Sequence, residues 1–168
     1  MSHPVEIKQY IYGLYWKSAH LSEQYGSLEF REFLQMSKEQ GISEYPANLT
    51  AVHVIDCIGN NEPINNTALA EKMELTKASI TKITTTLLED GFIKRIRLND
   101  NKKEIHFRLT AKAQELYVLH GKLHKQEQDR YFRFLERYTS EELNFIKRLY
   151  QDMIDELEER MIERKAID

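Results

Sequence analysis

The feature that most constrains this chain is a change of period at Gly91. Before it, Ile80, Ile83, Leu87 and Leu88 recur at steps of one, three and four, the spacing of a helix with a single buried stripe. After it, from Phe92 to Thr110, the period falls to about two. Ile93, Arg95 and Arg97 alternate with Lys94, Ile96 and Leu98, and Ile105, Phe107 and Leu109 alternate with His106 and Arg108. Glycine closes the helix because it enters the left-handed region without a Cβ clash. The order is therefore helix, glycine, strand, polar turn (Asn99-Asp100-Asn101-Lys102-Lys103), strand: an amphipathic helix followed by a two-stranded hairpin with a basic tip.

The residues before this unit are helical. Pro4 stands where a helix begins, and Val5, Ile7, Tyr10, Ile11, Leu14 and Tyr15, then Leu21, Tyr25, Leu28, Phe33 and Leu34, keep helical spacing to about Lys38. Gly41 and Ser43 to Asn48 form a connector, with Pro46 turning its predecessor away from helix. Thr50 is the expected cap of a short helix with Val52, Ile55 and Ile58 inward, ended by Gly59 and the turn Asn60-Asn61-Glu62-Pro63. Asn65 caps a second short helix through Met73, with Leu69 and Ala70 inward, and the helix ending at Gly91 starts at Thr76. Beyond the hairpin, Thr110 opens a helix running to about Arg137, and Thr139 with Glu142 makes a capping box for a last helix carrying Leu143, Ile146, Tyr150, Met153 and Leu157. The expected organisation is an N-terminal helical arm (1–45), a central unit (46–112) and C-terminal helices (113–168).

Composition excludes several classes. A length of 168 residues with 41% apolar and 30% charged side chains describes a folded chain, not a disordered one. No run approaches the roughly 20 apolar residues of a membrane span, and Glu6 and Lys8 interrupt any signal-peptide core, so a cytoplasmic chain with no membrane partner is expected. Cys57 is the single cysteine, which rules out an intramolecular disulfide and fits a reducing compartment. A net charge of −3 argues at first against nucleic acid. Its distribution argues the other way: Thr76 to Lys103 holds seven basic residues against three acidic ones, and the local field at a contact surface outweighs the global sum.

The helix from Thr76 is built for close approach to DNA. Thr76, Ser79, Thr81, Thr85 and Thr86 place small hydroxyl groups on the face opposite the apolar stripe, Lys77 and Lys82 add charge, and no acidic side chain occurs before Glu89. In the hairpin, Arg95, Arg97, Lys102 and Lys103 supply cations for phosphates, with Asn99 and Asn101 beside them at the tip. The plainer alternative is a solvated helix face and a solvated turn; the order of short helix, turn, hydroxyl-rich helix and basic hairpin favours a helix in the major groove with the hairpin reaching the flanking backbone.

These segments also carry a family resemblance. Pro63-Ile64-Asn65 leading into Leu69-Ala70-Glu71-Lys72-Met73, then Leu75 to Lys82, Leu87-Leu88-Glu89-Asp90-Gly91-Phe92-Ile93-Lys94-Arg95, and Arg108-Leu109-Thr110 resemble the MarR family of bacterial transcriptional regulators. The resemblance implies a mainly α fold with a small β-hairpin wing, a winged helix-turn-helix domain between N- and C-terminal dimerisation helices. It implies a homodimer on a palindromic double-stranded DNA operator, and repression relieved by a small molecule, a metal or oxidation. The sequence itself offers no nucleophile with an adjacent base, no phosphate loop and no paired-carboxylate pattern, so no enzyme activity is expected. One departure concerns the wing tip, where the family commonly has an acidic residue followed shortly by arginine and this chain has Asn101-Lys102-Lys103. Lysine lacks the planar fork of arginine, which favours phosphate contact over base reading there.

Three groups are candidates for sensing. His120 and His124 lie one helical turn apart, a spacing that can ligate zinc, and zinc-responsive members of the family use histidines in this helix. Two ligands need completion, from His53, Glu127 or a carboxylate of the N-terminal arm; the alternative is a pair of surface histidines. Cys57 reads either as a packed, inert thiol or as a redox sensor. Tyr12, Tyr15 and Trp16 read either as dimer core or as a small-molecule pocket. A winged helix that binds protein instead of DNA is a further alternative, because fold alone does not dictate function.

Overall fold

The computed structural model describes residues 5–98 and 101–165. Its elements are α1 (Val5–Glu39), α2 (Leu49–Asn61), β1 (Ile64–Asn65), α3 (Asn66–Lys72), α4 (Lys77–Glu89), β2 (Ile93–Leu98), β3 (Asn101–Leu109), α5 (Ala111–Leu135) and α6 (Ser140–Lys165). By contacts the chain divides into two compact units, Met1–Leu123 and His124–Asp168.

The first unit is a helix-turn-helix lobe with one apolar core. Val52, Val54, Ile55 and Ile58 of α2, Leu69 of α3, Ile80 and Leu87 of α4, Phe92 and Ile93 at the start of the hairpin, and Leu116, Leu119 and Leu123 of α5 are buried together. Phe33, near the end of α1, is wholly buried in the same core. Earlier in α1, by contrast, Val5, Tyr10, Ile11, Leu14 and Leu21 stay exposed.

The helix boundaries follow from local hydrogen bonding, and two differ from expectation. Asn48, not Thr50, caps α2: its side chain accepts from the Ala51 N–H at 2.9 Å. The helix also runs past Gly59 to Asn61. Gly59 is required for packing instead, because a Cβ there would meet the Tyr117 ring of α5 at 2.7 Å. Tyr117 lies across the gap and donates its hydroxyl to Asn60 Oδ1 at 2.8 Å. Asn65 and Thr76 cap α3 and α4 as read, accepting from the Ala68 and Ser79 N–H groups. In the turn between these helices Glu74 adopts φ +52°. It completes the cap of α3, with the Leu75 N–H donating to Ala70 O at 3.0 Å. Gly91, at φ +73°, does the same for α4, the Phe92 N–H reaching Leu87 O at 2.8 Å.

The hairpin is part of a three-stranded antiparallel sheet ordered β1-β3-β2. The third strand is the two-residue β1, Ile64 pairing with Phe107 and Asn65 with His106. Two residues carry too little periodicity to be read as a strand. The turn is also shorter than expected, since Leu98 pairs with Asn101 and β3 begins there; the register shifts between Ile96 and Leu98. On β3 His106 is buried beside Phe107 and Leu109, whereas Ile105 is exposed.

In the second unit the capping box forms as read. Glu142 Oε2 accepts from the Thr139 N–H at 2.8 Å and the Glu142 N–H donates to Thr139 Oγ1 at 3.3 Å. No helix among the described residues is long and apolar enough to cross a membrane.

Candidate nucleic-acid interface

All seven residues proposed on the recognition helix are exposed: Thr76, Lys77, Ser79, Thr81, Lys82, Thr85 and Thr86. Ile80, Thr84 and Leu87 face the core, with Ile83 and Leu88 partly buried. Thr84 inside the apolar stripe was not anticipated. Its hydroxyl donates to Ile80 O at 2.9 Å, so a polar group is buried with its hydrogen bond made. It also lies 3.3 Å from Asn66 Oδ1, while Asn66 Nδ2 donates to Thr81 Oγ1 at 2.7 Å. One side chain of α3 thus pins two turns of α4.

The exposed threonines share a geometry. Thr81 donates to Lys77 O at 2.7 Å, Thr85 to Thr81 O at 2.8 Å and Thr86 to Lys82 O at 3.3 Å. With their protons turned back on the helix, these hydroxyls present acceptor lone pairs and methyl groups outward, suited to base amino groups and the thymine methyl. Thr81 is engaged by Asn66 as well, leaving mainly its methyl to offer. Thr76 Oγ1 and Ser79 Oγ are 2.8 Å apart at the helix N-terminus, the end whose dipole favours a phosphate.

Arg95 and Arg97 are exposed on β2. Asn99 lies outside the described residues; of Asn101, Lys102 and Lys103 only the backbone, in β3, is described. The wing is braced from below: Glu62 Oε2 accepts from the Leu109 N–H at 2.8 Å, and Asn65 Nδ2 donates to Glu104. Tyr12, Tyr15 and Trp16 are exposed on α1, with Trp16 in edge contact with both tyrosine rings at 6.1 and 5.9 Å.

A second polar cluster lies on the inward side of the lobe. His120, a candidate zinc ligand whose alternative reading is a surface histidine, is wholly buried. Its ring meets Phe33 edge-on at 5.6 Å and His53 at 5.3 Å. His120 Nδ1 bonds to Asp56 Oδ2, and His120 Nε2 lies 3.5 Å from Glu29 Oε1, which is also 3.7 Å from His53 Nε2. One donor atom each from Glu29, His53 and His120 falls within 4.8 Å of the others. These three come from α1, α2 and α5. His124 follows His120 by one turn of α5 and is exposed. Burial, and then the neighbouring His120, push the His53 pKa below its ordinary value, which keeps a lone pair on the imidazole. Glu127, another candidate ligand, pairs with Arg130 at 2.9 Å. Glu29 was foreseen only as an unspecified carboxylate of the arm, and Asp56 was missed. The available signal was His53 and Asp56 three residues apart in a helix whose other inward residues are apolar. Cys57, next to Asp56, has its thiol pKa raised by burial, which suits a packed thiol.

A pinned helix-turn-helix, a hydroxyl-and-lysine recognition face and a cationic strand beside it define a winged helix-turn-helix regulator of transcription that binds DNA. Residues 47–105 match the model of the MarR family. The chain is 41% identical over 151 residues to the HTH-type transcriptional regulator PchR of Bacillus subtilis (strain 168), covering 90% of this chain and 89% of that one. It is 40% identical over 152 residues to the uncharacterized HTH-type transcriptional regulator YhjH of the same organism, covering 88% and 86%. The chain belongs to the MarR family, whose members regulate transcription and are not enzymes. Solved structures share the fold. Streptococcus pneumoniae FabT in complex with DNA superposes with a TM-score of 0.64 at 18% identity, covering 87% of this chain and 98% of that one. Lactococcus lactis ZitR in complex with DNA superposes with a TM-score of 0.62 at 23% identity, covering 68% and 78%.

Proposed function

We propose that this regulator is a metal-responsive repressor: a homodimer whose two recognition helices read a palindromic operator, with zinc bound among Glu29, His53 and His120 as the signal. The observation that carries it is the convergence of Glu29, His53 and His120 from three separate helices, with donor atoms within 4.8 Å. Imidazole nitrogens with one carboxylate oxygen suit zinc and similar borderline ions. The fold is shared with ZitR, described as a zinc-responsive MarR family member.

Position gives the metal its effect. His53 sits on α2, whose Val52, Ile55 and Ile58 are embedded in the lobe core beside Ile80 and Leu87 of α4. An ion joining α1, α2 and α5 ties the recognition lobe to the helices on either side of it in sequence. Palindromic half-sites lie about one DNA turn apart, so fixing each lobe decides whether both helices insert together. The dimer is supported by unpartnered apolar side chains on α1 (Val5, Tyr10, Ile11, Leu14) and on α6 (Phe145, Leu149, Ile154, Met161), too many for a solvated face. Tyr12, Tyr15 and Trp16 belong with the α1 set as dimer core. Arg95, Arg97 and the lysines of the wing hold phosphates. A cytoplasmic location goes with this role.

A small organic effector is the second reading. A cavity of about 360 Å³ lies between the first turn of α2 and α4, lined by Pro46, Ala51, Ser79, Lys82, Ile83 and Thr86. An occupant there would touch the recognition helix itself.

Fluorescence anisotropy with a duplex from the chain's own promoter region tests the proposal. Binding weakens steeply with salt, and zinc changes the affinity at least tenfold relative to chelator-treated protein. Salt-dependent binding that ignores zinc would leave the DNA-binding role standing and remove the metal from it.

A further inference from the structure

We infer that Asp56 is a positioning residue for the metal site: its carboxylate holds the Nδ1 proton of His120 and so turns the Nε2 lone pair toward Glu29 and His53. The inference rests on the metal-responsive reading and assigns a role to a residue outside the ligand group.

Geometry assigns the two ring nitrogens different partners. Asp56 Oδ2 bonds to Nδ1, while Nε2 lies on the opposite edge of the ring, 3.5 Å from Glu29 Oε1. A neutral imidazole has one N–H and one lone pair, and a carboxylate that only accepts fixes the proton on the nitrogen it faces. The lone pair is then directed at the remaining donors. A ligating histidine gains basicity and a fixed orientation from such an outer carboxylate. The ring is immobilised as well: it is wholly buried, with Phe33 edge-on at 5.6 Å. Asp56 lies three residues after His53 on α2, between the buried Ile55 and Ile58. The same helix thus supplies one ligand and holds a second from behind, so the site is bound to α2 by both.

Asp56→Asn is the test, with zinc affinity measured by competition against a chromophoric chelator on the full-length protein. An asparagine can rotate its amide and donate to Nδ1, which moves the ring proton to Nε2, the ligating atom. Zinc affinity falls about 10- to 100-fold, Asp56→Glu recovers part of the loss, and His120→Gln loses more than either. Thermal unfolding of the metal-free variant serves as the check on folding. A second readout needs no substitution: the proton NMR spectrum of the zinc-loaded wild type contains a downfield, slowly exchanging His120 Nδ1–H resonance. Asp56→Asn binding zinc as tightly as wild type, or a loaded protein without that resonance, overturns the inference. Wild type that binds no zinc overturns the metal reading beneath it.

Discussion

The two polar regions of the lobe are built differently, one on the exposed face of a single helix and the other from side chains of three helices around the buried His120. The outward face of α4 is one continuous segment, Thr76 to Thr86, in which each functional side chain lies within a turn of the next. Helical periodicity alone separates it from the buried stripe, and all seven proposed residues are exposed. The inward cluster joins Glu29, His53, Asp56 and His120 from three helices. Periodicity says which way a residue faces along its own helix but not which residues of distant helices meet, so only the His120 and His124 spacing is legible in the sequence, and it leaves a ligand pair and a surface pair both open. The difference teaches that a groove-inserting helix is a local object, while a chelating cluster is a product of packing.

The largest effect should be a clean separation of these two regions. Charge reversal in Lys77→Glu with Lys82→Glu puts four units of unfavourable charge change against the phosphates. It should cut operator affinity by about 100-fold or more and flatten its salt dependence, while leaving zinc affinity within about twofold. His120→Gln should do the reverse to zinc. Loss of both functions in both variants would mean that one surface had been mistaken for two.

Gly59→Ala sharpens the inward side. The added methyl meets the Tyr117 ring at 2.7 Å and the α2–α5 packing must give, at a cost of about 1–3 kcal/mol in denaturant unfolding. Unchanged stability would show that α2 and α5 are not packed as described.

A smaller effect lies beside the recognition helix. Glu74 holds φ +52° in the turn before α4, a conformation that a residue with a Cβ adopts at a cost of about 1 kcal/mol. Glu74→Gly should therefore raise stability by a few tenths to about 1 kcal/mol and leave operator affinity unchanged.

The smallest belongs to neither region. Hydrogen bonds from the Thr139 backbone and hydroxyl hold the Glu142 carboxyl below its ordinary pKa. A carboxyl with a lowered folded pKa lends stability that is complete above the ordinary glutamate value, about 4.3, and is lost as pH falls through the lowered one. NMR titration of Glu142 should give a midpoint below the ordinary value, returning toward it in Thr139→Ala.

Elsewhere legibility followed the same division. The caps at Asn65 and Thr76, the Gly91 stop and the Thr139–Glu142 box depend on residues three or four apart, and all formed as read. Gly59 failed as a helix stop because its reason is Tyr117, far along the chain, and β1 went unseen because its two residues are defined only by pairing with β3. Thr84 was hidden for a related cause: its hydroxyl satisfies itself on the helix, so a polar letter occupies an apolar position.

The central claim is that the inward cluster and the outward face communicate through α2. Calorimetric titration of zinc into the free dimer and into the operator-bound dimer tests it most directly. Linkage requires that the factor by which zinc changes operator affinity equals the factor by which operator changes zinc affinity, and the account predicts a common factor of at least tenfold, abolished in His120→Gln. Equal zinc affinity with and without operator would contradict it.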